Sequence, residues 1–256
     1  MKKCFLFCLM ILFAFCADAQ VERNNSVARM DTLPSRQEML KRARKDYGPW
    51  MISFGAGYSR WIVMLPESTS QVARDYYNQL LWGFVPSVSA TYFLKFGLGF
   101  GLEYNGYFAS AKLNEEATIT LNNGMQITGT LNEKVSMQLY GIGLQYRLIR
   151  KNGSGYFNFG VGLGYFNYKD DLKVESHSKG VNSITTVGQS GGFKMHASYN
   201  YRIDRHVSIG LGIGLTNGLL FNAHVNDGYS SYTDTTVAGS LIHVDLKAKL
   251  TIILGH

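Results

Sequence analysis

Cysteine occurs only at Cys4, Cys8 and Cys16, and none follows. Everything downstream is therefore without disulfides, zinc-thiolate sites or a cysteine nucleophile. Long apolar runs are also missing: after residue 16 no stretch approaches the ~18 residues that a membrane helix needs, so a helical membrane protein is excluded. Charged residues make up only 17% of the chain, less than a soluble surface usually carries. Abundant instead are 28 glycines, 16 tyrosines and 15 phenylalanines, and their placement is the main signal in this sequence.

The amino terminus reads as an address. Lys2 and Lys3 precede an apolar run from Cys4 to Cys16, and Ala17-Asp18-Ala19 puts small residues at the −3 and −1 positions before Gln20. This describes a secretory signal peptide over residues 1–19. A lipid-bearing Cys16 is disfavoured by the bulky Phe15 before it. Residues 20–49 are polar and basic; Ser35-Arg36-Gln37-Glu38 fits a capping box, predicting a short helix in a periplasmic arm. The formal net charge of +7 falls by one when Lys2, Lys3 and Asp18 leave with the leader. Export and the lack of any nucleic-acid-binding motif argue against a nucleic-acid partner.

From Trp50 the period becomes two. Trp50, Ile52, Phe54, Ala56 and Tyr58 alternate with Met51, Ser53, Gly55 and Gly57; seven further segments follow, near 82–92, 96–105, 140–148, 157–165, 193–202, 207–215 and 242–252. One face of each is apolar and free of charge, the other rich in glycine or polar residues. Connections near 94–95, 150–154 and 204–205 are short, whereas 62–81, 110–134, 169–190 and 219–239 are long. Short turns at one end and long loops at the other predict an all-β fold, an eight-stranded antiparallel up-and-down transmembrane β-barrel over 50–256. A soluble barrel would line its cavity with the apolar face. Here the opposite face is dominated by glycine on three segments, which makes a poor solvent shell but fits a narrow lumen. Aromatics mark both ends of the apolar face, at Trp50, Tyr92, Tyr146 and Tyr201 on the turn side and Tyr58, Trp82, Tyr140 and Tyr165 on the loop side, as two bilayer interfaces favour.

Strand count, loop alternation and strands such as Phe96-Gly97-Leu98-Gly99-Phe100-Gly101 make residues 50–256 resemble the small outer-membrane β-barrel proteins, the OmpX-like, OmpA-transmembrane-domain-like and PorT-like kinds. The resemblance implies an outer-membrane location in a Gram-negative-type cell, a periplasmic N-terminus and contact with outer-membrane lipids and lipopolysaccharide. It specifies architecture far more than activity, since such families include adhesins, narrow pores and lipid-modifying enzymes. Two departures stand out: the chain ends Leu254-Gly255-His256 where an aromatic is usual, and Pro86 lies mid-strand, where a bulge is expected.

No cofactor or metal site is expected, and no catalytic site; Gly97-x-Gly99-x-Gly101 is a strand repeat rather than a phosphate-binding turn. His196 and Ser198 are the weak enzymatic candidates, since a His-x-Ser pair on one strand resembles that of lipid A deacylases. Parity turns both toward the lumen, away from lipid. Asp170, Asp171, Glu175 and His177 form a loose acidic group with no metal-ligand spacing, and His224, Asp227, Tyr229 and Tyr232 mark the last long loop. Inward positions hold Glu103, Arg147, Lys194, Arg202, Asp245, Lys247 and Lys249. Counting from the turn end predicts the pairs Glu103–Lys247 and Asp245–Lys194, with Arg147, Arg202 and Lys249 met by water or anions. An interior this narrow is filled by side chains. Thr118–Leu121 and Gln126–Thr128 around Asn122-Asn123-Gly124 predict a β-hairpin with an exposed edge. The functional expectation is a structural or surface-interaction protein with a protein or glycan partner at 110–134 and 219–239. The alternatives are a narrow, anion-preferring pore and a lipid A-modifying hydrolase.

Overall fold

The computed structural model describes residues 47–63, 71–121, 124–150, 153–176, 180–220, 222–234 and 239–255. The expected leader and the expected capping-box helix lie outside the described residues. Among the described residues ten strands and one helix follow in order: β1 Trp50–Trp61, α1 Gln71–Leu81, β2 Trp82–Phe93, β3 Leu98–Thr120, β4 Gln126–Ile149, β5 Gly155–Ser176, β6 Gly180–Arg202, β7 Val207–Leu220, β8 Ala223–Asn226, β9 Ser231–Asp234 and β10 Gly239–Leu254. All pairings are antiparallel. The eight long strands form a ring, with β10 returning to β1 (Trp50↔Leu254) and β5 to β6 (Gly155↔Tyr201). Closure leaves no open edge in the ring, the condition for backbone to cross lipid. Leu102, Ile142, Leu163 and Leu211 each expose about two-thirds of their surface outward, so the wall between the two aromatic levels is apolar.

The long connections are mostly not loops. β3 and β4 continue as a ribbon through Thr118↔Thr128 and Thr120↔Gln126 to a turn at Gly124 (φ +80°), so the expected hairpin forms. β5 and β6 run on to Ser176↔Gly180, replacing most of the loop expected at 169–190. The expected loop at 62–81 contains α1. The last, at 219–239, holds the β8–β9 hairpin, which folds back so that β8 pairs with β6 at Thr185–Gly188. On the outward face of β4, Tyr146, Leu144, Ile142 and Tyr140 give way to Gln138, Ser136, Lys134 and Asn132. Inward, Arg147 and Gln145 give way to Leu139, Met137, Val135 and Leu131, all buried. β5 inverts likewise after Tyr165, where Phe166 begins an apolar inner face. The extension beyond Tyr140 and Tyr165 thus has an ordinary protein core, while the membrane part is apolar outside. Pro86 breaks the β2–β3 ladder between Phe84↔Phe108 and Ser87↔Asn105. Equal residue numbers span the break on both strands, so the ladder is interrupted with its register kept and the expected bulge does not form; proline has no N–H to give a ladder.

Candidate functional site

The interior is stacked in three layers. At the turn end Tyr47, Met51, Phe93, Tyr156 and Ile253 form an apolar plug. Arg147 lies in it with its guanidinium 4.4 Å from the Phe93 ring centre and 5.3 Å from that of Tyr47. It donates to the Gly48 carbonyl at 3.3 Å. Arg202 sits 4.7 Å from the same Tyr47 ring and donates to the Asp204 carbonyl. Aromatic faces and carbonyls therefore surround these two cations, where water or anions were expected. Tyr47 precedes the first strand and Phe93 ends the second, so neither stands out as a cation partner in the strand pattern.

The middle layer holds the charges. Lys194 on β6 donates to Glu103 on β3 at 2.8 Å, and Lys247 lies 3.0 Å from Asp245. The expected partners are thus exchanged. Residue counts along single strands ignore the stagger that tilts strands around a barrel, and that stagger decides which groups meet. Gly143 on β4 and Gly162 on β5 lie between Glu103 and Lys194. A Cβ on either glycine would collide with Glu103 Oε1. The carboxylate reaches its partner by lying across two bare glycines. Lys247 also donates to Asn105 Oδ1 at 2.7 Å, and Asn105 donates to Thr216 at 3.2 Å. His243, which does not stand out in the strand pattern, lies within 3.5 Å of Asn105. Ser198, Asn200 and Lys249 continue the layer on the turn side through bonds of 3.1 and 3.4 Å to the Ser198 hydroxyl. Space beside Glu103, Lys194, His196 and Lys249 amounts to about 20 Å³, room for about one water molecule.

The third layer is a vault at the end opposite the short turns. Tyr76 and Leu80 of α1 pack under β3 with Val85, Tyr107, Ala111, Val135, Met137 and Phe166, and Leu81 is buried as well. Tyr107 donates to the Leu80 carbonyl at 2.5 Å, fastening the helix end. Ala73, Tyr76 and Leu80 recur at helical spacing after Ser70, a start signal that was available in the sequence. Two carboxylates lie in this core. Glu133 accepts a hydrogen bond from Tyr76, and Tyr168 reaches Asp170 at 3.5 Å. Burial, and then the charge of Glu133, pushes the Asp170 carboxyl up to about 7. Burial raises Glu133 as well, opposed by the Tyr76 bond.

No family model and no curated protein matches the chain. Among solved structures, the major outer membrane protein of Thermus thermophilus superposes with a TM-score of 0.51 at 12% identity, over 80% of this chain and 99% of its own. The fold is that of an outer-membrane β-barrel. Neisserial surface protein A matches at TM-score 0.43 and 13% identity over 80% and 97% of the two chains. The Yersinia pestis attachment invasion locus protein matches at 0.41 and 12% over 81% and 98%.

Within this barrel the remaining candidates fall in place. His196 and Ser198 both face the lumen, but the described hydrogen bonds of the Ser198 hydroxyl come from Asn200 and Lys249 and not from imidazole. The acidic group of 169–177 is split by the strand that carries it: Asp170 points into the vault, while Asp171 pairs outward with Lys169 and Thr185. His177 lies outside the described residues. Asp227 accepts the Tyr229 and Ser230 amides in the β8–β9 turn, His224 meets Ser231 at 2.8 Å, and Tyr229 donates to Asn182. These contacts shape the hairpin and its seat on β6. The β3 edge, expected to lie open, is capped at Lys112, whose backbone N–H and carbonyl both bond the Gln79 side chain (3.1 and 3.4 Å). A register shift between Leu113 and Ala117 distorts the edge further. Both are devices that discourage strand addition.

Proposed function

We propose that this is an integral outer-membrane protein of a Gram-negative-type cell, N-terminus periplasmic, with a structural or surface-interaction role carried by its extracellular extension. The observation that supports this most is the filled interior. Apolar plug, charge layer and vault occupy the lumen in turn, leaving the outside of the extension as the surface open to partners. Strand β4–β6 residues Asn132, Lys134, Asp171, Lys173 and Ser183 line a polar hollow of about 270 Å³ there, suited to a glycan or a polar protein surface. The lipid-facing wall is suited to outer-membrane lipids and lipopolysaccharide. Reading the chain as a pore or a hydrolase finds less support, since Glu103 and Asp245 are paired in place with Lys194 and Lys247, side chains fill the lumen, and Ser198 is enclosed.

The reading is tested on membranes of the native host. The protein should fractionate with the outer membrane, shift its gel mobility on boiling, and give no steady conductance in a planar bilayer. Whole cells should lose adhesion to an extracellular glycan and protein panel when Lys134 and Lys173 are both changed to Glu. Recovery from soluble periplasm, a large steady current, or adhesion unaffected by the double change would each overturn it.

A further inference from the structure

The two vault carboxylates have no role in closing the barrel, and their position under α1 gives them one. The β4–β5 register pairs Val135 with Asp170 and Leu172 with Glu133, which sets the two acids diagonally on adjacent strands of one inner face. Tyr76 of α1 donates its hydroxyl to Glu133 Oε2, and Asp170 Oδ1 is buried without a hydrogen-bond partner. Among the described residues, the other ionisable group facing them is Tyr168 of β5. Tyr77 and Asp171 act from farther off, Asp171 from the outward face. β3 presents Ala111 and Leu113 to the vault and β6 presents Ile184, while Lys112 of β3 and Arg74 and Asp75 of α1 are exposed. One proton between the two acids leaves a single negative charge, held by the Tyr76 hydroxyl. Two charges would leave Asp170 ionised beside a like charge in an apolar core, with Oδ1 unpartnered and only a long Tyr168 bond on Oδ2, which is costly.

We propose that Glu133 and Asp170 make the extracellular closure pH-sensitive: α1 stays seated while the pair keeps a proton and loosens when both carboxylates ionise. The direction follows from linkage. Asp170 titrates near 3.8 when solvated and about 7 in the vault, so its preference for the closed state is full below the lower value and is lost as pH rises through the upper one. An outer-surface element that tightens in acid and relaxes in alkali would expose the underside of β3 and the apolar vault in the relaxed form.

Amide hydrogen exchange on the protein purified from outer membranes tests this, at about pH 5.5 and about pH 8.5 with labelling times scaled for intrinsic exchange. Protection of residues 71–81 should fall by about tenfold or more between the two, a change that the displaced titration of a single carboxyl is large enough to produce. Strand segments 140–149 and 157–165 should not change. The double variant Glu133→Gln, Asp170→Asn should keep 71–81 equally protected at both pH values. Asp170→Asn alone, which leaves the Tyr76 acceptor in place, should do the same and serves if the double variant does not yield a heat-modifiable barrel. Equal protection at both pH values in the unaltered protein, or an undiminished fall in Asp170→Asn, overturns the proposal.

Discussion

Glu103 and Lys194 meet at 2.8 Å across the lumen although β4 and β5 separate their strands. Both side chains are almost fully buried, so the pair neutralises two charges in a low-dielectric interior. Truncating one partner of such a pair is costly because it strands the other.

The bridge depends on the glycines beneath it. Gly162→Ala places a methyl against Glu103 Oε1, and the carboxylate must move off Lys194 to make room. A loss of about 1.5–3 kcal/mol is expected, the worth of a hydrogen bond to a charged group. Gly191→Ala, where a Cβ meets nothing within 4 Å, is the control and should be near neutral. Urea unfolding in lipid vesicles compares them.

Leu211 lies mid-strand on the wall and is 66% exposed. Leu211→Arg should destabilise the barrel by about 2–4 kcal/mol, the cost of a cation near the bilayer midplane. The same unfolding assay, referenced to Leu211→Ala, reads this out. A cost as small as that of an ordinary surface change would mean that the position does not face lipid.

Arg147 is held by two ring faces and a carbonyl, a setting for a planar guanidinium. Arg147→Lys keeps the charge and loses the stacking, so thermal stability should fall by about 1–2 kcal/mol equivalent. Boiling-dependent gel shift against temperature measures it, and Phe93→Leu should lower the midpoint in the same direction.

Gln79 blocks the β3 edge at Lys112. Gln79→Ala should cost under about 1 kcal/mol in stability, since the freed backbone groups can bond water, yet it uncovers a strand edge. The expected outcome is a larger dimer fraction in detergent by analytical ultracentrifugation, with the monomer unfolding curve little changed.

The membrane-crossing parts of all eight ring strands were legible in the sequence because lipid imposes a severe filter. Trp50 to Tyr58 or Tyr140 to Leu148 must alternate without a charge on one face, and period two is the only local pattern that satisfies it. The same rule hid the extension. Beyond Tyr140 and Tyr165 solvent is water, so the pattern changes phase: Leu139, Met137 and Phe166 turn inward where Gln145 and Asn158 had been. Polar residues on the outer face then look like loop.

Side-chain orientation in the lumen was determined by the sequence alone, since parity puts Glu103, Lys194, Asp245 and Lys247 inside. Which of them pair was decided only by the closed ring. Strand stagger is a property of the whole circuit of hydrogen bonds, and no single strand encodes it. The same holds for the Glu133–Asp170 neighbourhood under α1. Their proximity arises from the register of β4 against β5 and from a helix that folds into the mouth. Local pattern fixes which face a residue takes; only the assembled sheet fixes its neighbour.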